Sequence, residues 1–137
     1  MATSLPRITL DSKAFLNVNE ALRKEWLVTN GLGGYASSTI LGMNTRKYHG
    51  LLVAAFNPPI DRRVLLTKLD EEITIGNEVF KLGCNEYQSG TINPEGYRHL
   101  SSFSIAPLPA YTYEVKGKFR LQKTVFMPHE KNATIII

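Results

Sequence analysis

Apolar and polar residues alternate with a period of two through most of the chain, the spacing of strands that bury one face. Glu72-Ile73-Thr74-Ile75 and Glu78-Val79-Phe80-Lys81 flank Gly76-Asn77, a two-residue turn whose positions both tolerate positive φ, which predicts a hairpin. Tyr111, Tyr113 and Val115 fall on one strand face, Lys116-Gly117-Lys118 turns the chain, and Phe119, Leu121 and Val125 line the return, a second hairpin. Residues 51–56 form a continuous apolar run stopped by Asn57-Pro58-Pro59, the signature of a strand buried on both faces. Helical spacing is confined to residues 19–24, a single turn with Asn19 as its cap. Residues 83–109 carry Gly90, Pro94, Gly96, Pro107 and Pro109 among Asn, Ser and Tyr, and predict long surface loops around short strands. Residues 132–137 read as a strand only just begun. The expectation is a mainly all-β antiparallel sandwich with at most one short helix. It occupies residues 1–137 as one domain, a piece of something longer, and its unpaired end is expected to favour self-association.

Composition changes this picture little. Apolar residues make up 43% of the 137 and charged residues 20%, enough for a packed core. The net charge of +4 is spread over short groups, Arg46-Lys47, Arg62-Arg63 and Lys116 with Lys118, without the clustered face of a nucleic-acid binder. Cys84 is the single cysteine, which excludes an internal disulfide and fits a reducing cytoplasm. No secretory signal and no bilayer-length apolar run is present, so the expected location is cytoplasmic, away from membranes.

Candidate chemistry concentrates between residues 25 and 50. Gly31, Gly33 and Ala36 fit the dinucleotide pattern G-x-G-x-x-A, but that pattern should open a long helix. Here Ser, Thr and Ile follow, Gly42 interrupts, and the next strand ends in Asn57 instead of an acid. A tight loop that comes close to a partner explains the glycines more simply. Asn44-Thr45-Arg46-Lys47-Tyr48-His49-Gly50 sets two cations, a phenol and an imidazole before the buried strand. Donors beside aromatic faces suit sugar hydroxyls and pyranose rings, and equally suit an ordinary polar loop. Asp70-Glu71-Glu72 precedes a hairpin and reads as a solvated edge, not as the opposed carboxyl pair of a glycosidase. His49, His99 and His129 lack metal spacing, and Cys84 has no basic neighbour.

The run Glu25-Trp26-Leu27-Val28-Thr29-Asn30-Gly31-Leu32-Gly33-Gly34-Tyr35-Ala36, followed by Thr45-Arg46-Lys47-Tyr48-His49-Gly50-Leu51-Leu52, resembles the N-terminal domain of archaeal and bacterial glycogen debranching enzymes. Pro58-Pro59, Arg63-Val64-Leu65-Leu66 and Leu69-Asp70-Glu71 extend the likeness. The resemblance implies a β-sandwich of the galactose-mutarotase-like supersandwich type that precedes an (α/α)6 barrel. It further implies an amylo-α-1,6-glucosidase whose acid and base lie on that barrel, so no catalytic residue, cofactor or metal is expected here and the chain alone should be inactive. The expected partners are that barrel and α-glucan, as glycogen, limit dextrin or maltooligosaccharide. Trp26, Asn30, Tyr35, Arg46, Tyr48 and His49 are the expected glucan-binding residues. The alternatives are a purely structural domain packing on the barrel, and a nucleotide or nucleic-acid binder.

Overall fold

The computed structural model describes residues 7–137. Thirteen strands run through the described residues. The first five are β1 (Ile8–Asp11), β2 (Glu25–Thr29), β3 (Tyr35–Thr39), β4 (Gly50–Asn57) and β5 (Ile60–Leu66). Two small hairpins follow, β6 (Glu72–Ile75) with β7 (Glu78–Lys81), and β8 (Cys84–Glu86) with β9 (Ile92–Glu95). The chain closes with β10 (Leu100–Ile105), β11 (Ala110–Val115), β12 (Phe119–Phe126) and β13 (Ile135–Ile136). All pairings are antiparallel, in one sheet ordered β1-β10-β11-β12-β13 and another ordered β2-β3-β4-β5. The fold is therefore the all-β sandwich that the alternation predicts.

Alternation on β2 and β11 supplies the core between the two sheets. Trp26 from β2 and Tyr111 from β11 are both buried, and the Trp26 indole N–H donates to the Tyr111 hydroxyl at 2.5 Å. That hydroxyl in turn donates to the Thr39 carbonyl at 2.7 Å, so the indole N–H and the phenol brought inside both have partners. Phe103 stacks edge-on against Tyr111, their ring centroids 4.8 Å apart, and Tyr113, Val115 and Val125 extend the same apolar layer. The predicted hairpins form at the predicted turns, and β4 is buried from residue 50 to residue 55 except for a half-buried Leu52.

Four details differ from the sequence expectation. The helix α1 (Val18–Ala21) begins two residues early, because Asn17, not Asn19, accepts from the Glu20 amide as its cap. Phe119 and Leu121 lie partly exposed near the turn of their hairpin, and only Val125 is buried. Within the stretch expected to be loops around short strands, β10 is a six-residue strand inside its sheet, with β1 on one side and β11 on the other. Asp70-Glu71-Glu72 is not a simple solvated edge. Glu71 takes both oxygens to the largely buried Lys123 ammonium at 2.9 Å, and Asp70 lies 3.0 Å from Lys68. Burial would raise the Asp70 carboxyl, but the hydrogen bond from Asn85 and the Lys68 ammonium outweigh it and hold the group below its ordinary range. Burial also pushes the Cys84 thiol up to about 11, so it stays protonated and idle at neutral pH.

Candidate functional site

The face of β2 turned away from the core carries Glu25, Leu27 and Thr29, opposite Thr39, Ser37 and Tyr35 of β3. Leu27 is 61% exposed there, although it sits in the middle of a strand. Two loops raise walls around this face and leave an open groove of about 450 Å³.

One wall is the glycine loop. Asn30 is fully buried inside it and uses its whole side-chain amide. Its Oδ1 accepts from the amides of Leu32 and Gly34, and its Nδ2 donates to the Lys131 carbonyl and the Asn132 side chain, at 2.9 to 3.1 Å. Gly33 adopts φ +91°, and a Cβ there would lie 2.5 Å from the Pro59 carbonyl oxygen, so the position accepts glycine alone. Arg62 Nε then donates to the Gly33 carbonyl at 2.7 Å. The amides of Leu32 and Gly34 are spent on Asn30, and the loop leads into a strand, not a helix. The phosphate cradle of a dinucleotide site is therefore not built here.

The other wall is the loop at residues 44–49. His49 holds it from beneath: its Nδ1 accepts from the Thr45 and Arg46 amides at 3.0 and 3.3 Å, which places the ring proton on Nε2. Nε2 lies 3.2 Å from Glu25 Oε1 but off the N–H line, so it is buried without a hydrogen bond. Arg46 Nε donates to the same Glu25 oxygen at 2.5 Å. Tyr48 is 46% exposed, edge-on to His49, with its carbonyl accepting from the Tyr35 hydroxyl at 2.8 Å.

Of the six expected binding residues, Tyr35 and Tyr48 line the groove, and Arg46 lies beside it against Tyr48. His49 lies directly under them with no exposed surface. Trp26 and Asn30 are placed elsewhere: Trp26 is 3% exposed on the core face of β2, and Asn30 is enclosed by its loop. They shape the groove and offer it no stacking face or free donor. Sequence reasoning passed over Glu25 and Leu27, yet the strand period carried the signal. If Trp26 points inward, its two neighbours must point outward.

Burial holds the His49 imidazole below its ordinary 6.5, against the opposite pull of Glu25. Below that value the unfolded chain takes up a proton that folded His49 refuses, so stability declines as pH falls from 6.5 through the lower folded pKa. The depressed Asp70 carboxyl adds its own decline only below 3.8. Urea midpoints should therefore drop between about pH 7 and pH 5, with a shallower slope in His49→Gln. A flat profile in the native chain over that window would contradict the buried neutral ring.

Among the described residues no group of three His, Cys, Asp or Glu side chains is arranged to hold a metal, and no helix is long and apolar enough to cross a membrane. No curated protein and no solved structure matches the chain. A family model described as glycogen debranching enzyme N terminal matches residues 24–137, a span that contains both loops and the whole groove. The chain therefore belongs to the glycogen debranching enzyme N-terminal family.

Proposed function

We propose that this domain positions glucan, without chemistry of its own, in a cytoplasmic glycogen debranching enzyme whose separate barrel hydrolyses α-1,6-linked glucose at branch points. The observation that carries this reading is the groove on the outer face of β2 and β3. The exposed Tyr48 phenol, the exposed Leu27 and the exposed Arg62 line it, which is the mixture of apolar face and polar rim that pyranose rings fit. Glu25 is the carboxylate beside the Arg46 and Tyr48 wall, whereas glycoside hydrolysis needs two opposed carboxyls.

A second reading, a scaffold that only packs on the barrel, is favoured by exposed Phe56, Ile60, Val64 and Leu65 along β4 and β5. Titration with maltoheptaose separates the two. Because Trp26 is buried on the far side of β2, the reporter of choice is the Leu27 methyl resonances. The glucan reading expects saturable shifts with a Kd on the order of millimolar, since few contacts offset the cost of ordering the sugar. Tyr48→Ala should weaken binding by roughly 0.5–1.5 kcal/mol, the worth of one aromatic stack. Unshifted Leu27 resonances at high sugar concentration would leave only the scaffold role.

A further inference from the structure

Next to the groove, on the far side of its Tyr48 wall, Glu25 and Arg46 form an arrangement that goes beyond a generic sugar surface. Glu25 Oε1 is occupied by Arg46 Nε, while among the described residues Oε2 has no hydrogen-bond donor. The same holds for Arg46, whose Nε is used and whose two Nη groups have no acceptor among the described residues. The pair is fixed from both sides. Glu25 leaves a strand paired with β3, and the Arg46 amide is bonded to buried His49 Nδ1. The Arg46 guanidinium carbon lies 5.9 Å from the centre of the Tyr48 ring, so the free acceptor, the free donors and the aromatic face occupy one patch.

An ion pair with one open acceptor and an open donor fork is complementary to two neighbouring hydroxyls, one of which donates to the carboxylate while the other accepts from the guanidinium. A glucose unit inside an α-1,4-linked chain has its C1 and C4 oxygens in linkages, so O2 and O3 are its only free vicinal pair. Resting on the glucan-groove reading above, we propose that Glu25 and Arg46 grip the O2/O3 diol of a glucose unit stacked on Tyr48, making Glu25 a specificity-determining residue. His49 is then a positioning residue. It holds the Arg46 backbone and presents its buried Nε2 beside the shared Glu25 oxygen.

The test uses the whole chain with maltotriose and with its analogues lacking O2 or O3 on the central unit, read by the Leu27 methyl shifts. Glu25→Gln should weaken maltotriose binding by about tenfold, the usual cost of a lost charged hydrogen bond. Both deoxy analogues should bind the native chain more weakly than maltotriose, and in Glu25→Gln one of the two, the analogue lacking the hydroxyl that donates to Glu25, should bind about as well as maltotriose does. Arg46→Lys keeps the charge but loses the fork, and should reduce the preference for the diol in the same direction. Because Arg46 is at the surface, this second variant gives a reading even if Glu25→Gln fails to fold. Undiminished maltotriose binding by folded Glu25→Gln, or by Arg46→Lys where Glu25→Gln does not fold, would overturn the diol assignment. The groove reading would survive that result if Tyr48→Ala still weakened binding. Absence of maltotriose and maltoheptaose binding to the native chain would remove both.

Discussion

Replacing Trp26 with alanine is expected to cost the domain about 3–5 kcal/mol, the range for emptying a buried large aromatic site. The indole is 3% exposed between the two sheets, where its N–H donates to Tyr111. Alanine removes the side chain that fills the space between β2 and β11, and close-packed interiors relax only partly around such a gap. The hydroxyl of Tyr111 keeps its bond to Thr39, so the loss is one of packing more than of orphaned polarity. Trp26→Phe separates the two contributions, because it keeps most of the ring and gives up the hydrogen bond, at about 1 kcal/mol plus a smaller packing loss. Urea denaturation followed by circular dichroism measures both. A change below about 1 kcal/mol for Trp26→Ala would mean that the indole is not a core residue, and would return it to the groove as a sugar-stacking face.

The second large effect is expected at Asn30. Alanine there strips partners from the Leu32 and Gly34 amides, the Lys131 carbonyl and the Asn132 side chain at once. With a desolvation penalty for each group that water cannot reach, a loss of roughly 2–4 kcal/mol follows. Aspartate makes the sharper comparison. It has the same shape and still accepts from both loop amides, but it sets a carboxylate oxygen against two other oxygens where Nδ2 had donated. Asn30→Asp is therefore expected to be at least as damaging as Asn30→Ala, although it is nearly isosteric. If the aspartate variant instead matches the native melting temperature, the amide is not the clasp between the glycine loop and residues 131–132.

Period-two alternation made the all-β class and both hairpins legible, because strands that bury one face write that face into every second residue. The segment at residues 25–50 was also legible as the place where chemistry gathers. Which side each residue faces was not, for reasons visible in particular side chains. Trp26 reads as a sugar-stacking residue by type, and only its pairing with Tyr111, 85 residues away, shows that it belongs to the core. Asn30 reads as a free amide until residues 131–132 arrive to use it. The solvated look of Glu71 fails in the same way, since its partner Lys123 is 52 residues distant. β10 is hidden in a stretch that Gly90, Pro94, Gly96, Pro107 and Pro109 make look like loops around short strands, and its own serines, Ser101, Ser102 and Ser104, add little strand preference. Its neighbours on both sides override that preference.

The clasp at Asn30 has a consequence for how the domain is made. It joins positions 101 residues apart, and the Trp26–Tyr111 bond joins positions 85 apart. By contrast, β2 to β5 are linked by consecutive hairpins and can pair as soon as they leave the ribosome. At about 5–20 residues per second, that first sheet, complete at Leu66, waits roughly 3–13 s for its cover and its clasp to be synthesised. Through that interval its inner face, Trp26 included, stands open to solvent. Synthesis speed and chaperone capture, more than final stability, should therefore set the yield of folded domain, with slower translation lengthening the exposed interval.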